Sequence, residues 1–161
     1  MKVLTDSEIN ELIIEKKPLP LLWIAWLKPR LSRNCDFKEC ELDVISDENN
    51  KFKIIVKENP NDKRDFSVML IYKDSMTNRK FRLIRFNGPS HKHTNTIEKR
   101  RGVPDSMYDE KCHIHICTER YQLEGLKEDH YAEPTERFKN MDEALRCLEA
   151  DCGFYHAGNG N

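Results

Sequence analysis

The sequence predicts an α+β fold, an antiparallel sheet of about five strands with an N-terminal and a C-terminal helix. Three observations predict it. Four apolar or alternating segments follow one another between residues 37 and 86, separated only by short turn-forming breaks. A capping box opens a helical repeat near the N-terminus, and an Asn-capped amphipathic segment closes the chain.

The elements follow in chain order. Thr5-Asp6-Ser7-Glu8 has capping-box spacing, and Ile9, Leu12 and Ile13 repeat at helical intervals until Pro18 and Pro20. The apolar run 21–27 fits a strand or a buried connector equally, because periodicity does not separate the two. Segment 37–45 alternates Cys40, Leu42 and Val44 against charge. Segment 52–56 is short and β-branched, and 66–72 is nearly continuous apolar sequence, the pattern of a central strand. In 81–86, Phe81, Leu83 and Arg85 alternate with Arg82, Ile84 and Phe86. The breaks Asp47-Glu48-Asn49-Asn50, Asn59-Pro60-Asn61-Asp62 and Asp74-Ser75-Met76-Thr77-Asn78 are too short for parallel crossovers, so neighbours run antiparallel. Asn87-Gly88-Pro89-Ser90 then opens a polar loop to about residue 108, a fifth strand covers 111–118, and a loop with Pro134 follows. Asn140 with Glu143 caps a last helix to about Asp151, with Met141, Leu145 and Leu148 on one face. Residues 1–156 read as one domain and 157–161 as a flexible tail.

A chain of 161 residues buries a sizeable core without disulfides, and 38% hydrophobic against 34% charged residues is not a disordered composition. The formal net charge of −1 excludes a generally basic nucleic-acid binder. The charge is uneven, however. Residues 73–101 carry nine basic side chains against two acidic ones, and residues 102–161 carry six against thirteen. Such a basic region can hold an anion, or the two regions can neutralise each other. The chain opens without a signal peptide, and the apolar run 19–27 is too short to span a bilayer, so a cytoplasmic protein without membrane contact is expected. The six cysteines, 35, 40, 112, 117, 147 and 152, form three Cys-x4-Cys pairs, outside zinc-ribbon spacing. They read mostly as small buried hydrophobes in a reducing compartment.

Five of the six histidines are His91, His93, His113, His115 and His130. Alternate residues of an extended segment share a face, so His91 pairs with His93, and His113 with His115 and Cys117. If the segment after the fourth strand lies beside the fifth, four imidazoles converge. Three chemistries compete. The first is metal ligation: His91-x-His93 with Glu98 resembles the first cupin motif, but position 85 is Arg where that motif needs Gly, and no second cupin motif is present. The second is metal-free phosphodiester cleavage, with histidines as acid and base and Arg82, Arg85, Lys92 and Arg120 on the phosphate. The tandem His-x-Ser/Thr pattern of two-histidine phosphoesterases is not met, since His93 and His115 occupy the second positions. The third is a polar, hydrogen-bonded sheet face with no chemistry.

The stretches Arg85-Phe86-Asn87-Gly88-Pro89-Ser90-His91-Lys92-His93-Thr94-Asn95 and His113-Ile114-His115-Ile116-Cys117-Thr118-Glu119-Arg120-Tyr121-Gln122, with the later Asp129-His130-Tyr131-Ala132-Glu133-Pro134-Thr135, resemble an uncharacterised family of bacterial and phage proteins. The likeness runs from about Lys51 to Phe154. More distantly, Phe86-Asn87 with His91-x-His93 is similar to the short motif of TumE-type toxins of toxin–antitoxin pairs. That likeness implies a compact ribonuclease-like toxin with a cognate antitoxin.

The expected function is therefore a small toxin-like endoribonuclease or phosphodiesterase with no cofactor and no metal. His91, His93, His113 and His115 share the acid–base work. Glu119 orients a histidine, Arg85, Lys92 and Arg120 hold phosphate, and Tyr121 stacks on a base. The alternatives are a histidine-ligated metal protein and a non-enzymatic phage inhibitor of host defence. The inhibitor would use its acidic C-terminal third, including Glu143 and Glu149, on a basic partner. RNA, an antitoxin or a host defence complex are the corresponding partners.

Overall fold

The computed structural model of the protein describes residues 1–34 and 36–158. In chain order the elements are α1 (Asp6–Ile14), β1 (Lys17–Leu19), α2 (Trp23–Leu27), β2 (Ser32–Asn34), β3 (Phe37–Ile45), β4 (Lys51–Asn59), β5 (Asp62–Lys73) and β6 (Lys80–Asn87). They continue as β7 (His93–Thr94), α3 (Thr96–Arg100), β8 (Met107–Tyr108), β9 (His113–Ile116), α4 (Glu119–Leu123), β10 (Ala132–Pro134), α5 (Met141–Asp151) and β11 (Phe154–His156). The α+β class and both terminal helices are as expected. Thr5 and Glu8 form the reciprocal cap of α1, with Thr5 Oγ1 accepting from the Glu8 amide at 3.2 Å and the Thr5 amide donating to Glu8 Oε2 at 2.7 Å. The ambiguous run 21–27 resolves as the short helix α2, whose Trp23 and Leu27 are buried.

The main sheet is wholly antiparallel and has seven strands in the order β10-β9-β6-β5-β4-β3-β2. The five expected strands form its centre. The three-residue strands β2 and β10 at the edges are too short to leave a periodic signal. Period-two alternation gives the sheet two faces. One carries Val44, Phe52, Ile54, Val56, Val68, Leu70, Phe81 and Phe86, and α1, α2 and α5 contribute to the same core. Phe138 meets Phe66 and Phe86 edge to face in this core. Cys40, Cys112, Cys117, Cys147 and Cys152 are free thiols and buried, as a reduced chain requires, and Cys35 lies outside the described residues.

One irregularity decides what the other face carries. Simple alternation places Arg85 with Phe81 and Leu83. The β5–β6 register shifts instead, with Leu70 opposite Ile84 and Ile71 opposite Arg82, so Leu83 is an extra residue in β6. Leu83 and Ile84 are both buried in the core, and the phase reverses after them. Phe86 stays in the core, while Arg85 and Asn87 turn to the opposite face. There they lie across from His115 and His113 of β9.

At the end of β6, Gly88 donates its amide to the Phe66 carbonyl at 3.0 Å. A Cβ on this residue would lie 2.0 Å from the Arg64 carbonyl oxygen, so only glycine fits. The chain then leaves the sheet. The polar stretch expected to be a loop contains α3 and a small antiparallel pair, β7–β8, which sets His93 opposite Tyr108. His91 and His93 are therefore not on the main sheet. They belong to a covering segment laid over its second face. No helix of the described residues is long and apolar enough to cross a membrane. Of the expected tail, Ala157 donates its amide to Leu19 at 3.3 Å, and residues 159–161 lie outside the described residues.

Candidate metal centre

His113 and His115 point from β9 to the face opposite the main core, and His93 descends on them from β7. All three are buried. One ring nitrogen from each lies within 4.8 Å of the other two. The ring centroids are 4.7 Å apart for His93–His115, 4.9 Å for His113–His115 and 5.5 Å for His93–His113. The convergence expected of His93 and His115 is present, well inside the roughly 10–12 Å that sheet geometry allowed.

Hydrogen bonds fix the tautomers. A carbonyl only accepts, so His113 donates Nδ1–H to Lys111 O at 2.8 Å, and His115 donates Nδ1–H to Asp129 O at 2.8 Å. Each therefore carries its lone pair on Nε2. Both Nε2 atoms are buried and have no hydrogen-bond partner. The third tautomer follows from Asn95. Its amide nitrogen donates to Ala132 O at 2.8 Å and its Oδ1 accepts from Ala132 N at 2.9 Å, which settles the orientation of the amide. Oδ1 then accepts Nε2–H of His93 at 3.0 Å, leaving the His93 lone pair on Nδ1. This is the outer-shell pattern of metal-binding histidines, in which the second ring nitrogen donates to a carbonyl or amide oxygen and orients the first.

Burial keeps these imidazoles neutral. It lowers His93, holds His113 down to about 4, and with the nearby Arg85 guanidinium holds His115 down to about 2. His91 is exposed at the edge, with its ring 5.7 Å from His113 and Nδ1 3.0 Å from Ser90 Oγ. His130 packs 5.2 Å from His93 and donates Nε2–H to Thr94 O at 3.0 Å. Tyr108 lies 5.4 Å from His93 and 5.5 Å from His113, and burial raises its phenol. Its hydroxyl is a further buried group without a partner, as is Asn87 Oδ1.

The other expected site residues are placed differently. Arg85 pairs with Asp129, Nε to Oδ2 at 3.0 Å, and Arg82 lies 3.9 Å from the same carboxylate. Asp129 thus connects a basic pair to the carbonyl that holds His115. Arg120 is engaged by Glu98 and packs on the Tyr131 ring. Tyr121 is fully buried and donates to Glu98 at 2.7 Å, so it is not placed to stack on a base. Glu119 begins α4, with its amide donating to Asp6 Oδ1 at 2.9 Å. The strand end at Thr118 is a helix cap rather than an open loop, because Thr118 accepts from the Tyr121 amide. Lys92 is exposed, 3.9 Å from Asp109. In the acidic third, Glu143 accepts from the Lys139 amide, and Glu149 takes the Trp23 indole and His156. Asn95, Tyr108 and Asp129 complete the site without a role assigned from sequence, as does His130, which the sequence places only among the clustered histidines. Asn95 carried one signal, since it lies two residues beyond His93 in an extended segment and shares its face.

The sequence argument against metal is the unmet cupin pattern, and a three-imidazole set does not need that pattern. Comparisons with protein-family models, with curated proteins and with solved structures return no significant match.

Proposed function

We propose that this protein binds one transition-metal ion through His93 Nδ1, His113 Nε2 and His115 Nε2. One observation carries the reading: three imidazoles converge with fixed tautomers, and two present buried lone pairs that no protein group satisfies. An orphaned buried acceptor costs about 1–3 kcal/mol, so two together mark a missing partner. Two nitrogens on one tetrahedral ion, each at about 2.0–2.1 Å, lie roughly 3.4 Å apart. One ring nitrogen of each histidine lies within 4.8 Å of the other two, so side-chain rotation brings the three rings to that spacing. A set of three neutral imidazoles suits zinc, copper, iron or nickel rather than magnesium or calcium.

The metal-free ribonuclease reading fits this geometry less well. General acid–base catalysis needs imidazoles that reach a substrate proton, and among the four expected only His91 is exposed. Toxin-like phosphodiester chemistry is compatible with the centre only as metal-assisted chemistry at a fourth coordination position.

The test is uptake by the full chain. Purified apo-protein titrated calorimetrically with zinc is expected to bind one equivalent. At a free-metal excess of about 1,000 times Kd, binding stabilises the fold by roughly 4 kcal/mol. For a chain of this size that is a rise in Tm of roughly 8–16 °C. His113→Ala and His115→Ala are expected to lose uptake. Absence of binding by zinc, cobalt, copper and iron alike overturns the proposal.

A further inference from the structure

Resting on the three-imidazole reading, we propose that the phenolic oxygen of Tyr108 is the fourth ligand, making an N3O centre suited to a ferric or cupric ion. The β7–β8 pairing sets Tyr108 directly across from His93. Its ring packs on two of the three imidazoles at once, 5.4 Å from His93 and 5.5 Å from His113. The independent observation is the hydroxyl itself, which is buried and has neither donor nor acceptor. A tyrosine hydroxyl taken out of water ordinarily finds a partner. On the face beneath it His113 Nε2, His115 Nε2 and Asn87 Oδ1 are also buried without partners. One ion held by the two nitrogens and the phenolic oxygen satisfies three of these atoms, which no single hydrogen bond does.

The chemistry favours a charged oxygen donor. The three imidazoles are neutral and leave the charge of a bound cation uncompensated, so the centre gains from one anionic ligand. On binding, the phenol O–H bond breaks, the oxygen forms the metal bond, and the proton leaves to solvent. Phenolate is a hard donor and raises the preference for ferric or cupric ions over a site of imidazoles alone. His91 is the competing fourth ligand. Its ring reaches His113, but it is exposed and already bonded to Ser90.

The experiment loads the full chain separately with ferric and cupric ions and records visible absorption. A phenolate-to-metal charge-transfer band is expected in the native protein and is lost in Tyr108→Phe. That variant is also expected to bind metal more weakly by at least the roughly 10–100-fold that loss of an outer-shell partner costs. The stability of its apo form should stay the same or rise, because the deleted hydroxyl had no partner. A merely structural tyrosine would show the reverse, with lower apo stability in Tyr108→Phe and no phenolate band in the native protein. Metal bound without the band, or a band unchanged in Tyr108→Phe, overturns the assignment and leaves the three-imidazole centre standing. No metal uptake by the native chain overturns both.

Discussion

Replacing Asn95 by alanine is expected to damage the fold and the metal centre together, and the two effects can be separated. Its side chain makes three hydrogen bonds, to Ala132 O at 2.8 Å, from Ala132 N at 2.9 Å and with His93 Nε2 at 3.0 Å. Asn95, His93 and Ala132 are all buried. Asn95→Ala leaves three polar groups unpaired, each worth about 1–3 kcal/mol if water does not replace the amide. Allowing for partial rehydration and non-additivity, a loss of about 2–5 kcal/mol is expected. At roughly 2–4 °C per kcal/mol, the apo-protein should melt about 4–20 °C lower. Freed of its acceptor, the His93 ring should also cost roughly 10–100-fold in metal affinity. Asn95→Asp separates the two roles. It keeps an oxygen for Ala132 N–H and for His93, but it sets a second acceptor against Ala132 O and buries a carboxylate. Its apo stability should therefore also fall, while its metal affinity should hold or tighten. The measurements are urea unfolding of each apo-protein and calorimetric titration with zinc. An Asn95→Ala protein within about 0.5 kcal/mol of the native one, the ordinary scatter of surface substitutions, would refute the bridge. Equal metal loss in both variants would refute the orienting role.

Two further predictions concern the scaffold. Lys17 is buried, with Nζ donating to Leu12 O, Ile13 O, Glu15 O and Cys152 O at 2.8–3.1 Å, so it caps the C-terminal ends of α1 and α5 together. Lys17→Met, similar in volume, should lose about 3–5 kcal/mol in urea unfolding, the usual cost of stranding the partners of a buried charge. The Asp74 carboxyl, bonded by Lys2 at 2.6 Å and by Thr77, is lowered from 3.8 to about 2. Its contribution is complete above the ordinary value and disappears as pH falls towards 2, because the unfolded chain binds the proton first. The melting temperature of the native protein should therefore fall more steeply between pH 4 and pH 2 than that of Asp74→Asn.

The sheet was legible because its information is local. Period-two alternation in 37–45, turn residues between the central strands, and the Thr5 and Asn140 caps all act within a few residues. What escaped were elements of two to five residues, β1, β2, β7, β8, β10, β11, α3 and α4. They are held by tertiary contacts such as the Asn95–Ala132 bridge and leave no periodicity of their own. The face assignment of Arg85 failed for a different reason. A one-residue bulge at Leu83 reverses the alternation, and hydrophobic pattern alone does not distinguish Leu83-Ile84 from one ordinary step of a strand.

The sequence by itself determined the α+β class, the two terminal helices, the antiparallel order of the central strands and the common face of His113 and His115. All of these follow from backbone periodicity and short connections. Only the tertiary structure decided that His93 joins them from a covering segment while His91 stays exposed. It alone also showed that Tyr121 and Arg120 turn inward to Glu98, and that Tyr108 and Asn95 close the site. The physical reason is sequence distance. His93, Tyr108, His115 and Asp129 meet only after β6 and β9 have paired and the intervening chain has folded back across their shared face, and no local rule encodes where such a segment comes to rest.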